Sequence, residues 1–98
     1  MSSRNIEGKL DELFEGMLTL KDKKEYYDFF EDLCTISELL ALAQRFEVAK
    51  RLREGRVYSD IVKETGASTA TISRVNRSYH YGCDGYKTVF ERLEKGHE

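Results

Sequence analysis

The chain has 98 residues, 40% of them hydrophobic and 35% charged, which describes one ordinary domain and leaves no room for several. Its 16 basic and 18 acidic side chains give a formal net charge of −2, so any polyanion would have to be held by a local basic surface rather than by the charge of the whole. No stretch is long and apolar enough to span a membrane, and two cysteines without CxxC spacing, Cys34 and Cys83, with no signal peptide, are expected to be reduced thiols in a cytoplasm.

There is no proline, and the glycines fall mostly at the ends of periodic stretches, so the sequence reads as helix after helix in a single all-α domain spanning 1–98. Ile6, Leu10, Leu13, Phe14, Met17 and Leu18 make the amphipathic stripe of a first helix. Asp22 with Glu25 has the spacing of a capping box and opens a second, whose apolar positions Tyr26, Tyr27, Phe29, Phe30 and Leu33 are unusually aromatic. Such a stripe ordinarily means core; a partner-binding surface is the alternative. Thr35 with Glu38 repeats the cap signal before a longer third helix through Leu39, Leu42, Ala43, Phe46, Ala49 and Leu52, which Gly55 stops. Arg51, Arg53 and Arg56 near that end would either touch phosphates or favour the helix C-terminus electrostatically.

From Tyr58 to Ser78 the pattern is two short helices broken by Gly66, a helix-turn-helix expected over about 58–80. Ile61 and Thr65 point inward, Gly66 allows the positive φ of the turn, and Ala67 is small enough for the corner. Ile72 and Val75, three apart, anchor the second helix. That leaves Ser68, Thr69, Ala70, Thr71, Ser73, Arg74 and Arg77 outward, with Lys63 on the helix before: short hydrogen-bonding groups, a methyl and cations, which suit base edges and phosphates of double-stranded DNA. From Thr65 to Cys83 there is no Asp or Glu, although acids outnumber bases in the chain. Gly82 and Asp84 punctuate the entry to a last helix with Tyr86, Val89, Phe90 and Leu93 on one face. The first and last helices carry more apolar surface than a core of this size needs, and two-fold symmetric DNA sites suit two-fold symmetric proteins, so a homodimer is expected.

Enzyme chemistry finds no foothold. No nucleophile has a base with an orienting partner, there is no glycine-rich phosphate loop, and no cofactor is implied. His80 and Cys83 are three apart, but only Cys34 and the distant His97 remain to complete a site, so no metal is expected. The reading from another class is a helical protein-interaction module that keeps the hairpin as scaffold.

The tracts DLCTISELLALAQR from Asp32, TGASTATISRVNR from Thr65 and YGCDGY from Tyr81 resemble the tryptophan repressor superfamily, specifically its TrpR-related YerC/YecD branch, from about Tyr26 to Tyr86. The resemblance implies a six-helix, intertwined homodimer acting as a transcriptional regulator, with the recognition helix beginning at Ser68. In it Thr69, Ala70 and Thr71 would meet base edges and the Ser73 hydroxyl a phosphate. It also implies a ligand pocket with Arg45 and Arg74 on either side of the ligand and Thr35 and Ser78 as polar wall. Two departures stand out. Val75 replaces a glycine and is expected to obstruct the place of an indole, so tryptophan is not expected as the effector and any other effector is unspecified. The first helix of the hairpin is shorter than in the tryptophan repressor and lacks a phosphate-reaching arginine. Arg45 would then pair with Glu31 or Asp32.

Overall fold

The computed structural model describes residues 7–96; Ile6 and His97 lie outside them. Among the described residues there are six α-helices and no strand: α1 Glu7–Met17, α2 Lys23–Leu33, α3 Ile36–Arg53, α4 Tyr58–Thr65, α5 Thr69–Tyr81 and α6 Gly85–Lys95. The chain divides into two compact units, one ending at Ile36 and the other beginning at Ser37.

In the first unit the Asp22 carboxylate caps α2 by accepting the Glu25 N–H at 3.0 Å. The return arm lands one residue early, because Glu25 accepts from the Lys21 N–H at 2.7 Å rather than from that of Asp22. Tyr26 stacks on Phe30 with ring centroids 6.3 Å apart, and Phe29 meets Phe30 edge-on at 5.6 Å. Despite this apolar content, none of the described residues of the unit is buried, and Leu18 and Tyr27 stand well exposed.

The second unit owns the core. Val48 and Ala49 of α3, Ile61 of α4, Ala67 in the turn, Ile72, Val75 and Tyr79 of α5 and Phe90 of α6 are all buried, with Leu52, Val62 and Tyr86 packed against them. Ile72, Val75 and Tyr79 follow helical spacing, so α5 lays one face on the core and turns the other outward. Val48 lies outside the expected α3 stripe, whereas Leu42 and Phe46 inside it are partly exposed. The reason is that α3 is packed on more than one side. Gln44 and Arg51 reach α4 while Phe46 meets Phe90 of α6 at 5.0 Å, so no single stripe describes its burial.

The turns follow local chemistry. Gly55 has φ +84°, the Arg56 N–H reaches back to the Arg51 carbonyl at 3.1 Å and the Gly55 N–H to that of Leu52 at 3.0 Å, a Schellman stop for α3. Gly66 caps α4 at φ +74°. Beside it the Thr65 hydroxyl donates to the Ile61 carbonyl at 2.7 Å and accepts the Ala67 N–H at 3.1 Å, so the expected inward threonine fastens the corner of the hairpin. Asp84 opens α6 from a left-handed conformation, φ +63°, a role in which Asp is tolerated better than most residues.

Candidate nucleic-acid interface

The exposed face of the hairpin is built from both of its helices. Lys63 projects from α4; Thr69, Ala70, Ser73, Arg74 and Arg77 are exposed on α5, and Thr71 is half-buried among them. Ser68 is the N-cap of α5: its hydroxyl oxygen accepts the Thr71 N–H at 3.1 Å and its O–H donates to the Thr71 hydroxyl oxygen at 3.1 Å. The two hydroxyls are therefore spent partly on each other, although the Thr71 proton stays available to an outside acceptor. Thr69 and Ala70 have no such commitment.

Electrostatics separates the cations of this unit into two groups. Arg51 donates to Glu64 of α4 at 2.8 Å and lies 4.0 Å from Glu47; Arg56 pairs with Glu64 and lies 4.0 Å from Glu54. Arg53 makes a two-pronged contact with Glu94 of α6, at 2.8 and 2.9 Å. All three arginines that the sequence offered as phosphate contacts are thus neutralised within the protein. By contrast Arg45, Lys63, Arg74 and Arg77 make no ion pair among the described residues. Their charge is left for an external anion.

The hairpin is held against α3 at two places: Gln44 donates to the Thr65 carbonyl at 3.2 Å and Arg51 grips Glu64. Exposed ion pairs of this kind are worth about 0–1 kcal/mol each, so their effect is more on angle than on stability. The hydrogen bond from Arg53 lowers the pKa of Glu94, and the same contact raises that of Arg53, with the Tyr79 hydroxyl adding to it. A carboxyl with a depressed folded-state pKa contributes stability above the unfolded value, and that contribution disappears as pH falls through the folded one.

A pocket of about 500 Å³ opens beside the reading face, lined by Arg45 of α3, Ala70, Thr71, Arg74, Val75 and Ser78 of α5 and Tyr86 of α6. Arg45, Arg74 and Ser78 share its lining, and Thr35, the fourth residue of the expected pocket, is not part of it. Thr35 lies between α2 and α3 and is exposed. Val75 is 3% exposed and forms wall; open space remains beside it. With two guanidiniums, two hydroxyls, one phenol ring and no carboxylate, the lining suits an anionic group. Tyr86 was not legible as a pocket residue, because its helical spacing with Val89, Phe90 and Leu93 marks it equally well as core.

Comparison with known proteins gives a consistent result. The family model for the Trp repressor protein matches residues 8–94. The uncharacterised protein YerC of Bacillus subtilis (strain 168) is 54% identical over 96 residues, covering 97% of this chain and 92% of its own. A solved structure of a TrpR-like protein from Eubacterium eligens superposes with a TM-score of 0.86 at 66% identity, covering 89% of this chain and 90% of the other. One from Staphylococcus aureus, described as a candidate Trp repressor, gives 0.85 at 49% identity, covering 89% and 87%.

Proposed function

Because the chain belongs to the Trp repressor family, we propose that it is a sequence-specific, double-stranded-DNA-binding transcriptional regulator of repressor type, working in the cytoplasm as a homodimer and without tryptophan. The observation that carries the reading is the partition of cations: Arg45, Lys63, Arg74 and Arg77 have no carboxylate partner among the described residues, whereas Arg51, Arg53 and Arg56 are paired. The acid-free tract from Thr65 to Cys83 keeps the reading face clear of repulsion. In this arrangement Arg74, Arg77, Lys63 and the Ser73 hydroxyl hold phosphates, while Thr69, Ala70 and the free proton of Thr71 meet base edges. Ser68 acts chiefly as the cap that orients them.

Duplexes selected from a random pool, compared with an unrelated duplex at several salt concentrations, provide the test. Arg74→Ala is expected to weaken both and to reduce the salt slope by about 1, whereas Thr69→Ala should cost roughly 1–3 kcal/mol on the selected duplex alone. Adding L-tryptophan is expected to change neither affinity, since Val75 puts a branched side chain into the pocket lining where the family resemblance would place a glycine, even though space remains beside it. If both variants bind like the parent, the hairpin is not the reading element; a tryptophan-dependent gain would sink the effector-free part.

The dimer is supported by unmet burial. None of the described residues of the first unit is buried, and α3 and α6 border a groove of about 460 Å³ in which Phe46, Phe90 and Leu93 are flanked by Lys50, Arg53, Glu54 and Glu94. Leu40 is 66% exposed and Leu42 46% on the same helix as Phe46. A second copy covering these faces would supply the apolar burial that one chain lacks. Sedimentation at micromolar concentration is expected to give a dimer whose stability rises with protein concentration. A folded monomer would contradict it.

A further inference from the structure

Arg53 is the last residue of α3, yet its guanidinium joins three helices. Nε and Nη2 donate to the two carboxylate oxygens of Glu94 on α6, at 2.8 and 2.9 Å, and Nη1 donates to the Tyr79 hydroxyl of α5 at 2.9 Å. The same group lies over the Phe90 ring, 5.8 Å from its centroid. Glu94 thus aims the planar fork from one side while the fork grips Tyr79 from the other. Lysine has the charge but not the plane, and could not make these three bonds in fixed relation.

Tyr79 is a telling place for such a grip. It is 8% exposed, and at about 100° per residue it lies roughly 180° around α5 from Ala70 and about 160° from Arg77. The fork therefore holds the back of the helix whose front carries Ala70, Arg74 and Arg77. Ile72 and Val75 also hold α5 to the core, but apolar contacts are non-directional and define its rotation less sharply than a hydrogen bond does. A hydrogen bond to a phenolic oxygen weakens steeply off its preferred angle. The buried face sets which side of α5 turns outward, and the Arg53 fork adds a directional bond that sharpens that azimuth.

We infer that Arg53 is a positioning residue for DNA recognition: through Tyr79, and aimed by Glu94, it sets the rotation of α5 that presents the reading face. This rests on the proposal that α5 reads DNA. It requires no contact between Arg53 and DNA, and it accounts for a basic residue near the hairpin that is bonded within the protein through all three of its nitrogens.

The test compares the dissociation constants of the full chain for a selected and an unrelated duplex, with urea unfolding of each variant. Tyr79→Phe removes only the hydroxyl, and Arg53→Lys keeps the charge. Each is expected to weaken the selected duplex about tenfold, the size of loss that one directional bond to a charged group sustains, and to leave the unrelated duplex within about twofold. The double variant should be no worse than either single one, because both remove the same bond. A purely structural role would lower the unfolding midpoint and leave the ratio of the two affinities unchanged. Folded variants that discriminate as well as the parent would overturn the positioning role alone; a parent chain without any duplex preference would overturn the DNA reading and this role with it.

Discussion

Ile72→Ala is expected to cost about 2–5 kcal/mol of folding free energy, the range for deleting a fully buried branched side chain. Ile72 is 0% exposed and belongs to the same buried cluster as Ile61 of α4 and Val75 of its own helix, so the cavity would open in the core of the hairpin. Small domains have a total stability of only about 5–15 kcal/mol, and the loss should appear as a fall in melting temperature on the order of 10–30 °C. Ser73→Ala, one residue on and exposed, is the control; surface changes of that kind stay within about 0.5 kcal/mol. Circular dichroism on thermal and urea unfolding measures both. A cost below about 1 kcal/mol for Ile72→Ala would mean that the core collapses around the missing methyls and is not packed as described.

Gly82→Ala should destabilise for a different reason. Gly82 ends α5, and its N–H donates to the Ser78 carbonyl at 3.0 Å. A methyl group on Gly82 would collide with that same carbonyl oxygen, coming within 3.2 Å of its carbon and 3.4 Å of the Ser78 Cα. These are backbone atoms, so relief requires the last turn of α5 to open. Overpacking of this kind typically costs about 1–3 kcal/mol. Gly66 gives the contrast: nothing would obstruct a methyl there, but its φ of +74° costs an L-residue about 1–2 kcal/mol. The Gly82 variant should in addition loosen Ser78 and Tyr79, seen as faster amide exchange over the end of α5. Unchanged stability and exchange would show that the turn yields freely.

The parts of the fold that were legible in the sequence are those set by neighbours in the chain. Asp22 with Glu25, Gly55, and the Thr65–Gly66–Ala67 corner each act within a few residues, and each has the geometry its chemistry implies except for the Glu25 carboxylate, which accepts from Lys21 in place of Asp22. The outward face of α5 follows from the spacing of Ile72, Val75 and Tyr79 alone. What stayed hidden depends on distance in the chain. Arg53 and Glu94 are 41 residues apart, Arg51 and Glu64 are 13 apart, and nothing in either arginine's surroundings announces its partner. Val48 was missed because a helix packed on several sides loses the single stripe from which burial is read. Val75 shows both limits at once: spacing assigned it correctly to the core, yet whether a valine closes a pocket or lines one depends on where Arg45 and Tyr86 stand across from it.

The division of the chain at Ile36 has an electrostatic consequence. The residues up to Ile36 include five basic and nine acidic side chains, and those from Ser37 onward eleven basic and nine acidic, so the two units carry net charges of opposite sign. A polyanion repels the one and attracts the other before any atom touches. An encounter is thereby sorted by charge, with the unit that holds the hairpin the one favoured to meet the polyanion. Salt erases the sorting beyond a Debye length of about 8–10 Å, which makes productive collision frequency, and not only grip, a function of ionic strength.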